Sequence, residues 1–175
     1  MTRKKLAALG AVLLLLSLAL SVAFAATGSL QAAPKSLPSA APSAATSAYE
    51  YMAELSDGIG ARVAGTPAAA QAADRISQWF TDLGYSPSRQ DFSFTDGGAS
   101  RTTCNVIATK AGTSTQQIVI GAHFDSVAVG RGAFDNASGV ALMMQLADAL
   151  RAAQTPYTLV FVAFGAEDHP LVPVW

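Results

Sequence analysis

The chain has 175 residues, 51% of them hydrophobic and 13% charged, with 11 basic residues against 12 acidic ones. Arg3, Lys4 and Lys5 open the chain and no acid precedes Glu50, so the remainder holds eight basic residues against twelve acidic. That balance disfavours nucleic acid as a partner, which demands a basic face. The single cysteine, Cys104, excludes an internal disulfide.

In chain order, the three basic residues precede an apolar stretch from Leu6 to Ala23, and Ala23-Phe24-Ala25 offers a small-residue cleavage site before Ala26. Residues 1–25 therefore read as a signal peptide, which places the protein outside the cytoplasm, extracellular or periplasmic. The apolar stretch is near the minimum length for spanning a bilayer, so an uncleaved N-terminal anchor is the alternative and membrane contact is expected only in that case. Residues 26–47 consist of Ala, Pro and Ser with the single charge of Lys35, plus isolated Thr, Gly, Leu and Gln. Such a composition buries too little apolar surface to offset its ordering entropy and reads as a flexible linker. From Ala48 onward fewer than 130 residues remain, enough for one compact domain with a real core.

Within that domain, Tyr49 to Leu55 reads as a short helix. Thr66 is placed to cap a longer one, with Pro67 at its first position, Ala72, Ile76, Trp79, Phe80 and Leu83 along one face, and Gly84 closing it. Gln90 to Phe94 alternates as a strand does, Thr95 to Gly98 turns, and Thr103 to Lys110 is extended. Gln116 to Ala122 has the length and β-branched content of a buried strand leading into His123. A helix over 137–152 follows, with Val140, Met143, Met144, Ala147 and Leu150 at helical spacing, then a strand over 158–164. Strands alternating with helices predict an α/β fold with a mixed, mainly parallel sheet and helices on both faces.

The chemistry-bearing residues gather where these elements end. His123 emerges near the C-terminal end of its strand, the edge at which open α/β sheets bind ligands. Asp125, two residues on, is placed to hold the second ring nitrogen. Asp135 falls at or just before a helix N-terminus, where the dipole favours a carboxylate, and Glu167-Asp168 follow the next strand at the same sheet edge. Each piece has a plainer reading. His-x-Asp is common on surfaces, Asp is a preferred N-cap, and Glu-Asp after a strand is often a solvated transition. Their order after two strands and around one helix is what points to a metal. Cys104, with no histidine near it in sequence, reads as a small buried hydrophobe.

Together the segments Arg62-Val63-Ala64-Gly65-Thr66, Gly84-Tyr85, Asn105 to Ala108, Gly121 to Val127, Asp135 to Gly139 and Phe164 to Glu167 resemble the secreted two-zinc aminopeptidase family, the zinc exopeptidases that include leucyl aminopeptidases and relatives of glutamate carboxypeptidase II. The resemblance implies a phosphorylase/hydrolase-like fold, two zinc ions per site in complete relatives, and peptide or protein N-termini as substrates. It implies that His123 ligates one zinc, Asp135 bridges both, and Glu167 is the general base acting on the attacking water. Asp168 stands where the family has a glutamate ligand to the second zinc, with a stem one methylene shorter. Relatives supply a further Asp and a further His downstream, and a Gly-Leu-x-Gly-Ser loop stands where this sequence reads His169-Pro170-Leu171-Val172-Pro173-Val174-Trp175. The expectation is therefore a zinc peptidase domain over 48–175, truncated at its C-terminus and impaired in zinc retention, with one sheet edge and one helix-facing surface bare. Two other readings stand beside it: a non-catalytic interaction module of the same fold, and an unrelated exported binding protein. Side-chain preference and oligomeric state have no signal in the sequence.

Overall fold

The structure, a computed structural model, describes residues 46–168. The expected signal peptide, most of the linker and the segment His169 to Trp175 lie outside the described residues. Helix α1 spans Ala48–Ala53 and runs into a π-helical turn, Glu54–Ile59. Its start is a capping box: the Glu50 amide donates to Ser47 Oγ at 3.2 Å, and the Ser47 amide donates to the Glu50 carboxylate at 2.6 Å. Helix α2 spans Pro67–Asp82, with Thr66 Oγ1 accepting from the Ala69 amide and Pro67 in the first turn, as the sequence predicts. It ends at Leu83, and Gly84, at φ +86°, takes the left-handed conformation that lets the chain leave the helix.

Strand β1 (Ser88–Asp96) and strand β2 (Ala99–Lys110) form an antiparallel hairpin closed by Gly97 and Gly98, both at positive φ. Strand β3 (Gln117–His123) leads through a long loop and a turn, Ala133–Ala137, into helix α3 (Ser138–Leu150) and then strand β4 (Thr158–Phe164). The sheet order is β1-β2-β4-β3; β4 runs antiparallel to β2 and parallel to β3. His123 stands beside Phe164 in the β3–β4 register, so both strands deliver their following residues to one edge.

The sheet is mixed, as expected, but among the described strands the antiparallel pairings outnumber the parallel one. A two-residue hairpin can join only antiparallel neighbours, and β3-α3-β4 is the single crossover between parallel strands. That crossover also decides which face is covered. Leu159, Phe161 and Ala163 of β4 share a face with Val106 and Ala108 of β2 and with Ile120 and Ala122 of β3. This face joins one core with Ile76 and Phe80 of α2 and Val140, Met144 and Ala147 of α3. Phe80 and Tyr85 set their rings 6.2 and 5.7 Å from that of Phe161. Burying a side chain of this size contributes about 1.5–3 kcal/mol.

The opposite face carries Ile107, Val119, Val160 and Val162, none of which joins that core. Among the described residues, then, the expectation of helices on both faces is corrected: a second helical layer needs a second crossover. The reading of β3 as a buried strand is corrected with it. β3 is an edge strand with one uncovered face, and Val119 is 60% exposed. Among the described residues, this bare edge and bare face agree with the expectation of one bare sheet edge and one bare helix-facing surface. Cys104 is buried in the core, within β2, as a small apolar residue would be. No helix of the described residues is long and apolar enough to cross a membrane.

Candidate metal centre

Parallel pairing of β3 and β4 brings the segments after His123 and after Phe164 together, and Asp125 joins them. The Glu167 amide donates to Asp125 Oδ1 at 3.1 Å and the Asp168 amide to Oδ2 at 2.9 Å. Asp125 is 1% exposed, so both of its oxygens are committed to these two amides. Only a carboxylate presents two acceptors to two donors in this way. The side chain expected to orient the imidazole thus also locks one strand end to the other.

His123 packs its ring over this junction. Its Nδ1 lies 3.2 Å from the carbonyl oxygen of Asp125 and 3.6 Å from Asp125 Oδ1. The carbonyl is therefore the hydrogen-bond partner, and the carboxylate acts at longer range as a charge. On the other side of the ring, Nε2 lies 3.1 Å from Asp135 Oδ1 and 3.5 Å from Glu167 Oε2. The imidazole and the two acids, far apart in sequence, converge on one point. The Asp125 carboxylate, with Glu167 and Asp168 adding to it and burial opposing, pushes the His123 pKa up to about 9. A proton on Nε2 then sits where a metal ion would be ligated.

Asp135 reaches this point from the turn before α3. The plainer reading of Asp135 as a helix cap does not hold, because the residue preceding α3 is Ala137 and Asp135 lies two residues earlier, at φ −117° and ψ 97°. Asn136 does the capping, its Oδ1 accepting from the Gly139 amide at 2.9 Å. Asp135 is left 69% exposed on its side chain and free to face the imidazole. Asp168 follows Glu167 in the segment after β4. Its carboxylate, the ring of His123 and the carboxylate of Asp125 offer atoms that all lie within 4.8 Å of one another. Asp168 Oδ2 is buried without a hydrogen-bond partner. Burial, and then the neighbouring Asp135, Asp125 and Glu167, raise its pKa.

This donor set fits a divalent cation. Four carboxylates and one imidazole crowd together, and one buried carboxylate oxygen lacks a partner. Two ligands of a tetrahedral zinc, each about 2.0–2.1 Å from it, stand roughly 3.3 Å apart, close to the 3.1 Å between Nε2 and Asp135 Oδ1. Asp125 differs in that each of its oxygens already accepts one amide hydrogen. A surface cleft of about 410 Å³ between Glu54, Ile59, Asp74, Arg75 and Gln78 lies elsewhere and holds none of these residues.

Arg62 is the residue of the site whose part the sequence did not reveal. It is fully buried, and its guanidinium donates to the carbonyl oxygens of Leu55, Gly60, Phe124, Arg131 and Gly132. Burial draws its pKa below the ordinary arginine value, while Asp125 and Asp168 oppose the fall. The available signal was a lone cation in a stretch of small and apolar residues.

Residues 105–172 match peptidase family M28. The alkaline phosphatase isozyme conversion protein of Escherichia coli (strain K12) is 34% identical over 62% of this chain and 38% of its own length. Aminopeptidase YwaD of Bacillus subtilis (strain 168) is 38% identical over 31% of this chain and 12% of its own. The chain thus spans well under half of either relative. Among solved structures, glutaminyl cyclase of Fimbriiglobus ruber superposes with a TM-score of 0.64 at 25% identity, covering 73% of this chain and 47% of that one. The zinc aminopeptidase BSAP of Bacillus subtilis superposes with a TM-score of 0.63 at 16% identity, covering 69% and 61%, a likeness of fold. Residues 105–172 thus match the model of peptidase family M28, and the fold is like that of a zinc aminopeptidase.

Proposed function

We propose that this protein is a secreted metallo-aminopeptidase that hydrolyses the peptide bond next to a free N-terminus. The observation that carries the reading is the convergence of His123 Nε2 with the carboxylates of Asp135 and Glu167, beside the unpartnered oxygen of Asp168. His123, Asp135 and Asp168 would hold zinc, and Asp135 is the residue that would also serve a second ion. Zinc bound there supplies polarisation of the scissile carbonyl and a lowered pKa for water. Glu167, 44% exposed on its side chain, takes the proton of the attacking water and returns it to the leaving amine nitrogen. Asp125 keeps the proton of the imidazole on Nδ1, so that Nε2 presents its lone pair.

Activity on peptides with free N-termini, measured with and without a chelator, tests the reaction. Glu167→Gln is expected to abolish turnover with metal still bound. Turnover unaffected by both would remove the reading. The superposition on glutaminyl cyclase favours a second reaction at the same residues, cyclisation of N-terminal glutamine, in which the acid would move a proton without cleaving the chain. A peptide beginning with glutamine separates the two, releasing ammonia if cyclised and an amino acid if hydrolysed. Zinc bound with neither product would mark a non-catalytic module. For secretion, N-terminal sequencing of the mature protein from medium and membrane fractions is expected to begin at Ala26, and a membrane-bound form retaining Met1 would favour the anchor.

A further inference from the structure

His123 and Asp135 are separated by a long loop of irregular backbone, yet their side chains meet at 3.1 Å. Something must fix the two ends of that loop. Phe124, next to His123, directs its carbonyl at Arg62 Nε over 2.7 Å. Arg131 and Gly132, just before the turn that carries Asp135, direct theirs at Nη1 and Nη2 over 2.9 and 2.8 Å. One planar cation therefore holds both ends. A main-chain clasp reinforces the first: the Arg62 amide donates to Ser126 Oγ at 2.9 Å, and the Ser126 amide to the Arg62 carbonyl at 3.2 Å.

We propose that Arg62 is the positioning residue of the metal centre, its guanidinium setting the separation of His123 and Asp135 by gripping the loop between them at both ends. The inference rests on the metal-site reading and deepens it. Carbonyl dipoles aimed at a common point repel one another, and only a cation there makes the arrangement favourable. A buried point charge such as lysine has three donors and cannot span acceptors laid out around a planar fork. Gly132 gives an independent sign of the same fit. It sits at φ +59°, and a Cβ there would lie 2.7 Å from Arg62 Nη2, 2.6 Å from Ser126 Cβ and 2.9 Å from the Asp135 carbonyl oxygen. The loop closes on the guanidinium so tightly that no side chain fits between them.

The test compares the full chain with Arg62→Lys and Arg62→Ala by amide hydrogen exchange, without metal, and by Co2+ affinity. Arg62→Lys is expected to speed exchange over 126–134 at least tenfold, as a local opening does, with exchange in α2 and β4 unchanged. Its Co2+ affinity is expected to fall about 10–100-fold, the usual scale for losing a group that orients metal ligands. Millimolar guanidinium is expected to restore both in Arg62→Ala. Tyr85→Phe, which removes the bond from Tyr85 Oη to the Ala147 carbonyl in the core, is expected to change neither. Loop exchange equal to wild type, or an increase spread evenly through α2 and β4, would overturn the proposal and leave Arg62 a general stabiliser. If both Arg62 variants fail to fold, Gly132→Ala decides, since it keeps the cation and adds one methyl group at the contact. Selective loosening of 126–134 supports the proposal and wild-type exchange overturns it. Wild-type protein that binds no Co2+ would count against the metal reading itself, and loop exchange would then decide the role of Arg62 alone.

Discussion

The core beneath β4 and the rim above it are held by different physics. Beneath, Phe161 lies among Phe80, Tyr85 and the apolar residues of α3, and the driving force is loss of apolar surface from water. At the rim, the segments after β3 and β4 are held by a buried carboxylate taking two amides and a buried guanidinium taking five carbonyls. Apolar packing tolerates small shifts, whereas a ring of directed bonds does not. The fold can therefore be weakened without moving the site, and the site can be disturbed without unfolding the protein.

Phe161→Ala breaks the comparison most severely on the core side. It is expected to cost about 3–5 kcal/mol of stability while leaving the Co2+ affinity of the folded fraction unchanged, checked by denaturant titration and metal titration on the same sample. Asp125→Asn is the matching change at the rim. The amide has one acceptor where two donors converge, so a buried N–H is orphaned at a cost of about 1–3 kcal/mol. Here metal affinity is expected to fall along with stability. Smaller is the effect of Tyr85→Phe, about 0.5–1.5 kcal/mol, read as a lowered denaturation midpoint without change in metal binding.

The comparison can also be probed by pH. Because the folded pKa of His123 is raised from 6.5 to about 9, its protonated form stabilises the metal-free protein. That contribution is fully present below pH 6.5 and is lost as pH rises through 9. The melting temperature of the metal-free chain is expected to decline across that window more steeply than that of His123→Gln. Parallel curves would remove the charge network from the account.

Much of this was legible in the chain because its signals are local. The strand over 158–164 and the start of α2 were set by an apolar run and by the Thr66-Pro67 pair, each read from adjacent residues. The approach of His123, Asp135 and Glu167 followed from the order of strands. That the bare face belongs to β3 did not, because Val119 has the same side chain whether or not a helix lies over it. Asp135 gave the cap signal while Asn136 does the capping, a choice made by backbone angles at the turn. Arg62 escaped because every partner of its side chain is a backbone carbonyl, which any residue could supply.

Anomalous diffraction at the zinc edge, from crystals grown with zinc, tests the convergence of the site most directly. A peak about 2.0–2.1 Å from His123 Nε2, with Asp135 and Asp168 oxygens around it and Glu167 beside it, is the expected result. Zinc found only elsewhere on the surface, with the His123 ring still paired to Asp135 as an ion pair, would contradict the account.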